Sequence, residues 1–250
     1  MDAEYAHAYA ELYRRHWWWR AREDYLVTVL REWLPPTGNA RILDVGCGSG
    51  LFFERLSALG EVRGVETDES MRTGDPVIDG RIHWGSLESL PRSESFSCVM
   101  LLDVLEHMSD PAGTLRLVRE RLAPGGLLVV TVPAFPLLWT RHDEVNHHVR
   151  RYTISTLRPL LLGAEFAPVE LRYFFHWTFP AKLLVRLAES LRRRSDIPAV
   201  PPVPAVPVNR GLYWLSRMEQ RVFHRVRLPL GTSLLALATP AELASAGQTS

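Results

Sequence analysis

The stretch Arg41-Ile42-Leu43-Asp44-Val45-Gly46-Cys47-Gly48-Ser49-Gly50 reads as a buried strand running into a glycine turn. Glycines at three alternate positions leave no side chain where the backbone must bend sharply or let a ligand come close. Glu66 follows at the end of the next strand-like run, Val62-Arg63-Gly64-Val65. A glycine turn with a strand-end acid about 20 residues on is how α/β folds hold the ribose of an adenosine cofactor. The spacing is G-x-G-x-G, not G-x-G-x-x-G. A dinucleotide rests its pyrophosphate on the following helix N-terminus and needs the third glycine for helix packing. Here Leu51-Phe52-Phe53 follows at once, with no basic residue, which suits an adenosine cofactor without phosphates. For the glycines alone, a plain strand-to-helix connection is the alternative.

Histidines supply a second chemistry. A nucleophile that is protonated at neutral pH needs a base, and imidazole suits that task. His107 follows an apolar run over 96–102, at the carboxyl edge where open α/β sheets bind ligands. It serves there as a base or as a loop-shaping hydrogen-bonding group. Arg141-His142-Asp143-Glu144-Val145-Asn146-His147-His148-Val149-Arg150-Arg151-Tyr152 follows the next apolar run and overhangs the same edge. Within it His147 and His148 are the candidate bases. His142, Arg150, Arg151 and Tyr152 are candidates for binding an acceptor, the arginines through a carboxylate or phosphate. The cluster fits no zinc spacing and no H-E-x-x-H pattern, so no metal is expected.

Taken in order, these motifs resemble those of class I S-adenosylmethionine-dependent methyltransferases (type 11/12-like). Asp44 to Gly50 resembles motif I. Arg63-Gly64-Val65-Glu66-Thr67-Asp68 resembles the second-strand motif, and Gly85-Ser86-Leu87-Glu88-Ser89-Leu90-Pro91 the adenine-edge loop. Phe96 to Pro111, with Leu102-Asp103-Val104-Leu105-Glu106-His107, resembles the fourth-strand motif, and Leu122-Ala123-Pro124-Gly125-Gly126 the turn before the fifth strand. The resemblance spans residues 40–135. It implies S-adenosylmethionine as cofactor and S-adenosylhomocysteine as product. It implies that Glu66 holds both ribose hydroxyls and that Ser86 and Leu87 reach the adenine. Asp44, Gly46, Cys47, Gly48, Gly50, Thr67 and Leu102 complete the implied cofactor bed. Ser86 stands where the family usually carries Asp, so a neutral hydrogen-bonding group replaces a charge.

The elements that must position these residues follow from composition and periodicity. At 250 residues, 46% hydrophobic and 23% charged, a single domain is expected. A net charge of +1 argues against nucleic-acid binding through bulk charge. The two cysteines, Cys47 and Cys98, sit in core-like runs and point to a reducing compartment. Cys47 reads as a small packing residue rather than a nucleophile. The start Met1-Asp2-Ala3-Glu4 lacks the pattern of a signal peptide, and no run of 18 apolar residues exists, so a cytoplasmic location is expected. Near-continuous apolar runs at 41–45, 61–66, 81–84, 96–102 and 126–132 read as a parallel sheet covered on both faces. Residues 153–163 read as a helix, 166–174 as a strand and Gly231 to Ala238 as a last strand. The family resemblance makes this a Rossmann-like α/β sheet, mostly parallel, with an antiparallel last strand and helices on both faces.

Two additions flank that core, which is expected over 37–179 with its last strand at 229–240. Residues 5–34 read as helical, ended by Pro35-Pro36. Their three consecutive tryptophans, Trp17 to Trp19, point about 100° apart on a helix, so they cannot share one face. The segment 1–36 reads either as a wrap on the core edge or as a lid, with Arg20 or Arg22 pairing with the methionine carboxylate. Residues 180–228 form an insertion before the last strand. Leu183, Leu184, Leu187 and Leu191 share one helical stripe, Pro198 to Pro207 make an extended link, and Asn209 caps a second amphipathic helix. This insertion holds ten Lys or Arg against Glu189, Asp196 and Glu219, a net +7 on an otherwise acidic chain. It is a solvated hairpin, a cap over an apolar acceptor pocket, or a peripheral membrane contact.

The expected activity is methyl transfer to the oxygen, nitrogen or carbon of a small or lipophilic acceptor, such as a natural-product, quinone or lipid-type intermediate. A non-catalytic adenosyl-ligand binder docking on membranes is the second class. A NAD-type oxidoreductase is the third, disfavoured by the glycine spacing.

Overall fold

The computed structural model describes residues 12–191, 202–223 and 226–241. Seven strands form one sheet: β1 (Ala40–Val45), β2 (Gly60–Glu66), β3 (Ile82–Trp84), β4 (Phe96–Leu102), β5 (Leu122–Pro133), β6 (Phe166–Phe174) and β7 (Ser233–Pro240). Their order is β3-β2-β1-β4-β5-β7-β6. The first five are parallel, while β7 runs antiparallel to both β5 and β6. The strand order reverses between β1 and β4, so a crevice opens there at the carboxyl ends, where such sheets bind ligands.

Alternation along the strands decides which helices cover which face. Leu43, Val99, Leu101, Leu128 and Val130 point to one face. There they meet Leu115 and Val118 of α4 (Pro111–Arg121) and Leu157 and Leu161 of α6 (Ile154–Gly163). Ile42, Cys98, Met100, Val129 and Leu237 point to the other face, against Ala21, Tyr25, Leu26 and Leu30 of α1 (Trp17–Trp33). Short helices α2 (Phe53–Leu56), α3 (Pro76–Asp79) and α5 (Arg141–Val145) lie in the connections.

Of the helix expected over 5–34, residues 5–11 lie outside the described residues, and the rest is interrupted at His16. Its backbone is extended, and its side chain accepts the Trp18 N–H, so it caps α1. The three tryptophans diverge as helical spacing requires. Trp17 is buried against Phe175 and Trp177. Trp18 stacks on Phe175, and the Arg22 guanidinium lies over the Trp18 ring, 5.6 Å from its centroid. Trp19 meets His16 and Trp18 edge-on.

The insertion forms α7 (Thr178–Leu191) and α8 (Val206–Val222). The link residues 192–201, including Pro198 and Pro201, lie outside the described residues. Helix α8 starts three residues before Asn209, on the cap residue Ala205, because Pro207 fits the first turn of a helix. Asn209 is therefore not the cap. Its side chain accepts the Trp17 N–H at 2.9 Å and donates to the Arg15 carbonyl at 2.7 Å, tying α8 to the start of α1. Glu219 of α8 accepts the N–H groups of His176 and Trp177, ahead of α7. Among the described residues no helix is long and apolar enough to cross a membrane.

Candidate active site

β1 delivers the glycine turn to the crevice. Gly46, Gly48 and Gly50 have φ of 72°, 55° and 69°, a left-handed backbone that other residues adopt only with strain. A Cβ on Gly46 would lie 2.8 Å from Val104, and one on Gly48 would lie 3.2 Å from Met71. Both conformation and space therefore require glycine. Cys47 lies over Gly64, where an added Cβ would meet its sulfur at 2.3 Å. Burial, with Asp44 and Glu66 nearby, pushes its thiol well above the ordinary range, so it is a packing group and not a thiolate.

Glu66 ends β2 beside this turn. Its two carboxylate oxygens accept the backbone N–H groups of Gly48 and Asp68, each at 2.9 Å. That fixes the carboxylate while leaving each oxygen a further lone pair for a diol. Thr67 is exposed at the turn that follows. Ser86 is exposed on the 3-10 turn after β3, whereas the Leu87 side chain is buried in the core. Leu87 can therefore reach a ligand only through its backbone. Asp44 is buried at the end of β1, and burial together with Glu66 pushes its carboxyl up to about 7 against the pull of Arg22.

Arg22, and not Arg20, reaches the crevice. Its guanidinium donates to Thr131 Oγ1 at 2.7 Å and pairs with Asp103 at 2.8 Å. Asp103 follows Leu102 at the end of β4 with φ of 58°, and its Oδ1 accepts the Thr131 hydroxyl at 3.1 Å. A cation between carboxylates at a sheet edge suits a zwitterionic ligand end, with the arginine for its carboxylate and the acids for its ammonium.

The histidine loop is built on Asp143. Thr140 and Asp143 form a capping box at the start of α5. Arg151 donates to both Asp143 oxygens, at 2.8 and 3.0 Å, and to the Ala134 carbonyl at 2.8 Å. The third partner is His148, whose Nδ1 lies 2.9 Å from Asp143 Oδ1. Burial alone would raise the Asp143 carboxyl. Hydrogen bonds from His148 and Arg151, with the arginine charge, hold it far below the usual carboxylate range. An ionised Asp143 only accepts, so the hydrogen bond comes from His148 Nδ1–H, and Nε2 is the ring nitrogen left for another partner.

The same loop brings His148 to the fourth-strand histidine. The His107 and His148 rings meet edge-on with centroids 4.8 Å apart. Ligand atoms of Glu106, His107 and His148 all lie within 4.8 Å of one another. Glu106 is fully buried, and neither carboxylate oxygen has a hydrogen-bond partner among the described residues. Burial and Asp103 push its carboxyl well up. His107 is exposed.

The other loop candidates are placed differently. His147 is exposed, with φ of 56°. His142 is exposed, and its ring centroid is 6.4 Å from that of His148. Arg150 reaches the Ser109 carbonyl at 3.4 Å. Arg151 and Tyr152 turn inward, Tyr152 donating to the Leu105 carbonyl at 3.0 Å, so the structure spends their donors on the protein. Asp143, Glu106, Asp103 and Thr131 were not singled out from sequence. The Thr140-x-x-Asp143 capping-box spacing was the one local signal for Asp143. Nothing local links 106 with 148.

A family model described as a methyltransferase domain matches residues 16–171. The mitochondrial ubiquinone biosynthesis O-methyltransferase of Schizosaccharomyces pombe is 32% identical over 127 residues, covering 47% of this chain and 46% of that protein. The Homo sapiens protein of the same name is 39% identical over 108 residues, covering 38% of this chain and 29% of that protein. The matched stretch therefore spans less than half the length of these curated relatives. A solved SAM-dependent methyltransferase from Archaeoglobus fulgidus superposes with a TM-score of 0.52 at 19% identity, covering 86% of this chain and 93% of that one. At that identity the likeness concerns the fold.

Proposed function

The chain belongs to the methyltransferase-domain family, and from that premise we propose that it methylates an oxygen of a lipophilic, quinone-type ring, with S-adenosylmethionine as donor. The observation that carries the oxygen reading is the Asp143–His148 pair at the carboxyl edge, beside the glycine-turn crevice. A phenolic hydroxyl needs a base at neutral pH, and an imidazole with its Nδ1 proton held by a buried carboxylate presents Nε2 for that proton. The names of the relatives support the quinone-type ring.

The residues present fit the cofactor. The Glu66 carboxylate is set for the ribose diol, and the glycine turn leaves a cradle that side chains would fill. Arg22, Asp103 and Asp44 suit the amino-acid end. When bound, S-adenosylmethionine would supply an activated methyl group and would leave as S-adenosylhomocysteine. His148 takes the hydroxyl proton, and the chain holds the acceptor in line while excluding water. Glu66→Ala is expected to weaken cofactor binding by ~1–3 kcal/mol, the usual range for losing a charged acceptor. Calorimetry with S-adenosylhomocysteine checks this, and unchanged affinity would remove Glu66 from the site.

One observation favours a second reading. The orphaned, buried Glu106 carboxylate facing two histidines is also the donor set of a divalent cation site, with Asp143 orienting His148 from behind. Metal content of the purified protein, with turnover after chelation, separates the readings. Full turnover of metal-free protein with phenolic acceptors supports the base. A stoichiometric metal needed for turnover overturns it.

The insertion supports an acceptor that is lipophilic. Helix α7 is seated over the histidine loop, with Glu189 accepting the Arg141 N–H at 3.0 Å and Arg186 donating to the Trp139 carbonyl at 3.2 Å. Leu184, Leu187, Val208, Trp214, Met218 and Val222 leave apolar surface exposed on α7 and α8 among basic residues. We read this surface as facing an anionic membrane. Co-sedimentation with anionic vesicles that falls as salt rises is expected, and no binding at low salt would refute it.

A further inference from the structure

A cavity of about 340 Å³ opens between the first turn of α1 and the start of α8, away from the crevice. It is lined by Arg20, Val206, Asn209, Arg210, Tyr213 and Trp214. Among the described residues no carboxylate lines it, and neither arginine has an ion pair. The Arg20 guanidinium is held over the Tyr213 ring, 4.8 Å from its centroid. The ring is itself fixed, since the Tyr213 hydroxyl bonds Asp24 and the ring meets Trp214 edge-on. The Asn209 amide is spent on Trp17 and Arg15, so it forms a wall and keeps the two helices in register. Helix α8 begins here without a side-chain cap, which adds the positive end of its dipole.

Two guanidiniums without acidic partners among the described residues, one of them already ordered by stacking, match the oxygens of a phosphate better than any neutral ligand. The rim of the cavity decides the source of that phosphate. Val206 is 74% exposed and Trp214 52%, and Met218 and Val222 continue the apolar surface along α8. A soluble phosphate ester has no use for such a rim, whereas a phospholipid presents its phosphate directly above acyl chains. We propose that this cavity is a headgroup site for the phosphate of an anionic phospholipid. The proposal rests on the membrane-facing reading of α7 and α8, and it sets the orientation in which the chain would sit on a bilayer.

The test uses the full chain and phosphatidylcholine vesicles made equally anionic with either phosphatidic acid or oleic acid. Wild-type protein is expected to bind the phosphatidic acid vesicles about tenfold more tightly, as a guanidinium–phosphate fork allows. The double variant R20Q/R210Q is expected to lose that preference and keep the weaker binding to oleate vesicles. Both arginines are exposed, so an unchanged unfolding midpoint serves as the control for folding. Equal affinity of wild-type protein for both vesicles, or a preference that survives in the double variant, overturns the headgroup site but leaves membrane docking intact. No binding to either vesicle overturns both. Inorganic phosphate that binds in an Arg20- and Arg210-dependent way without any vesicle binding also overturns the lipid assignment and identifies a soluble phosphate as the ligand.

Discussion

Replacing His148 by Gln is expected to lower kcat by ~10²–10⁴-fold, the range general-base catalysis supplies. The affinity for S-adenosylhomocysteine should hardly change, because the proposed role of the ring is toward the acceptor and not the cofactor. Of the four variants His107→Ala, His142→Ala, His147→Ala and His148→Ala, the last should lose most turnover. His147 is exposed in the left-handed region, and His142 is displaced from the cluster. Full turnover in His148→Gln would leave the reaction to proximity alone.

Asp143→Ala is expected to cost ~3–5 kcal/mol of stability, as breaking a buried ion pair does when one charge is left unpaired. The stranded charge is Arg151, whose side chain is only 4% exposed. The sign with pH follows from the depressed carboxyl of Asp143. A carboxylate held below its unfolded value contributes stability that is present above the unfolded pKa of ~3.9 and lost as pH falls toward the folded one. The gap between wild type and Asp143→Ala should therefore be widest near neutral pH and narrow below about pH 4. Denaturant midpoints across that range measure it. A gap independent of pH would mean that the loss comes from packing. Asp143→Asn keeps the shape while removing the charge. It should retain more stability than Asp143→Ala and still lose turnover, because an amide can present its N–H to His148 and fix the wrong tautomer.

The cofactor half of the proposed site was legible in the sequence because its logic is local. A strand, a glycine turn and an acid at the end of the next strand lie within one βαβ unit, and each glycine answers a nearby backbone need. The acceptor half was legible only as a place. The run 141–152 overhangs the right edge, but its roles depend on partners that only packing assigns. Arg151 looks like an anion binder in one dimension, yet the fold turns it onto Asp143 and Ala134. Glu106 is only part of the fourth-strand motif in sequence, yet it is buried beside His148, 42 positions away in the chain. The insertion shows a third case. Amphipathic periodicity located both helices, but Pro207 reads as part of a linker in sequence and sits in the first turn of α8 in the fold.

The central claim is methyl transfer to oxygen with His148 as the base. It is tested most directly by incubating the protein with 13C-methyl-labelled S-adenosylmethionine and a prenylated catechol, then reading the label by NMR. The expected result is a single labelled O–CH3 signal with one S-adenosylhomocysteine formed per methyl transferred, and loss of both in His148→Gln. Label on carbon or nitrogen, or tight cofactor binding with no transfer to any phenolic acceptor, would contradict it.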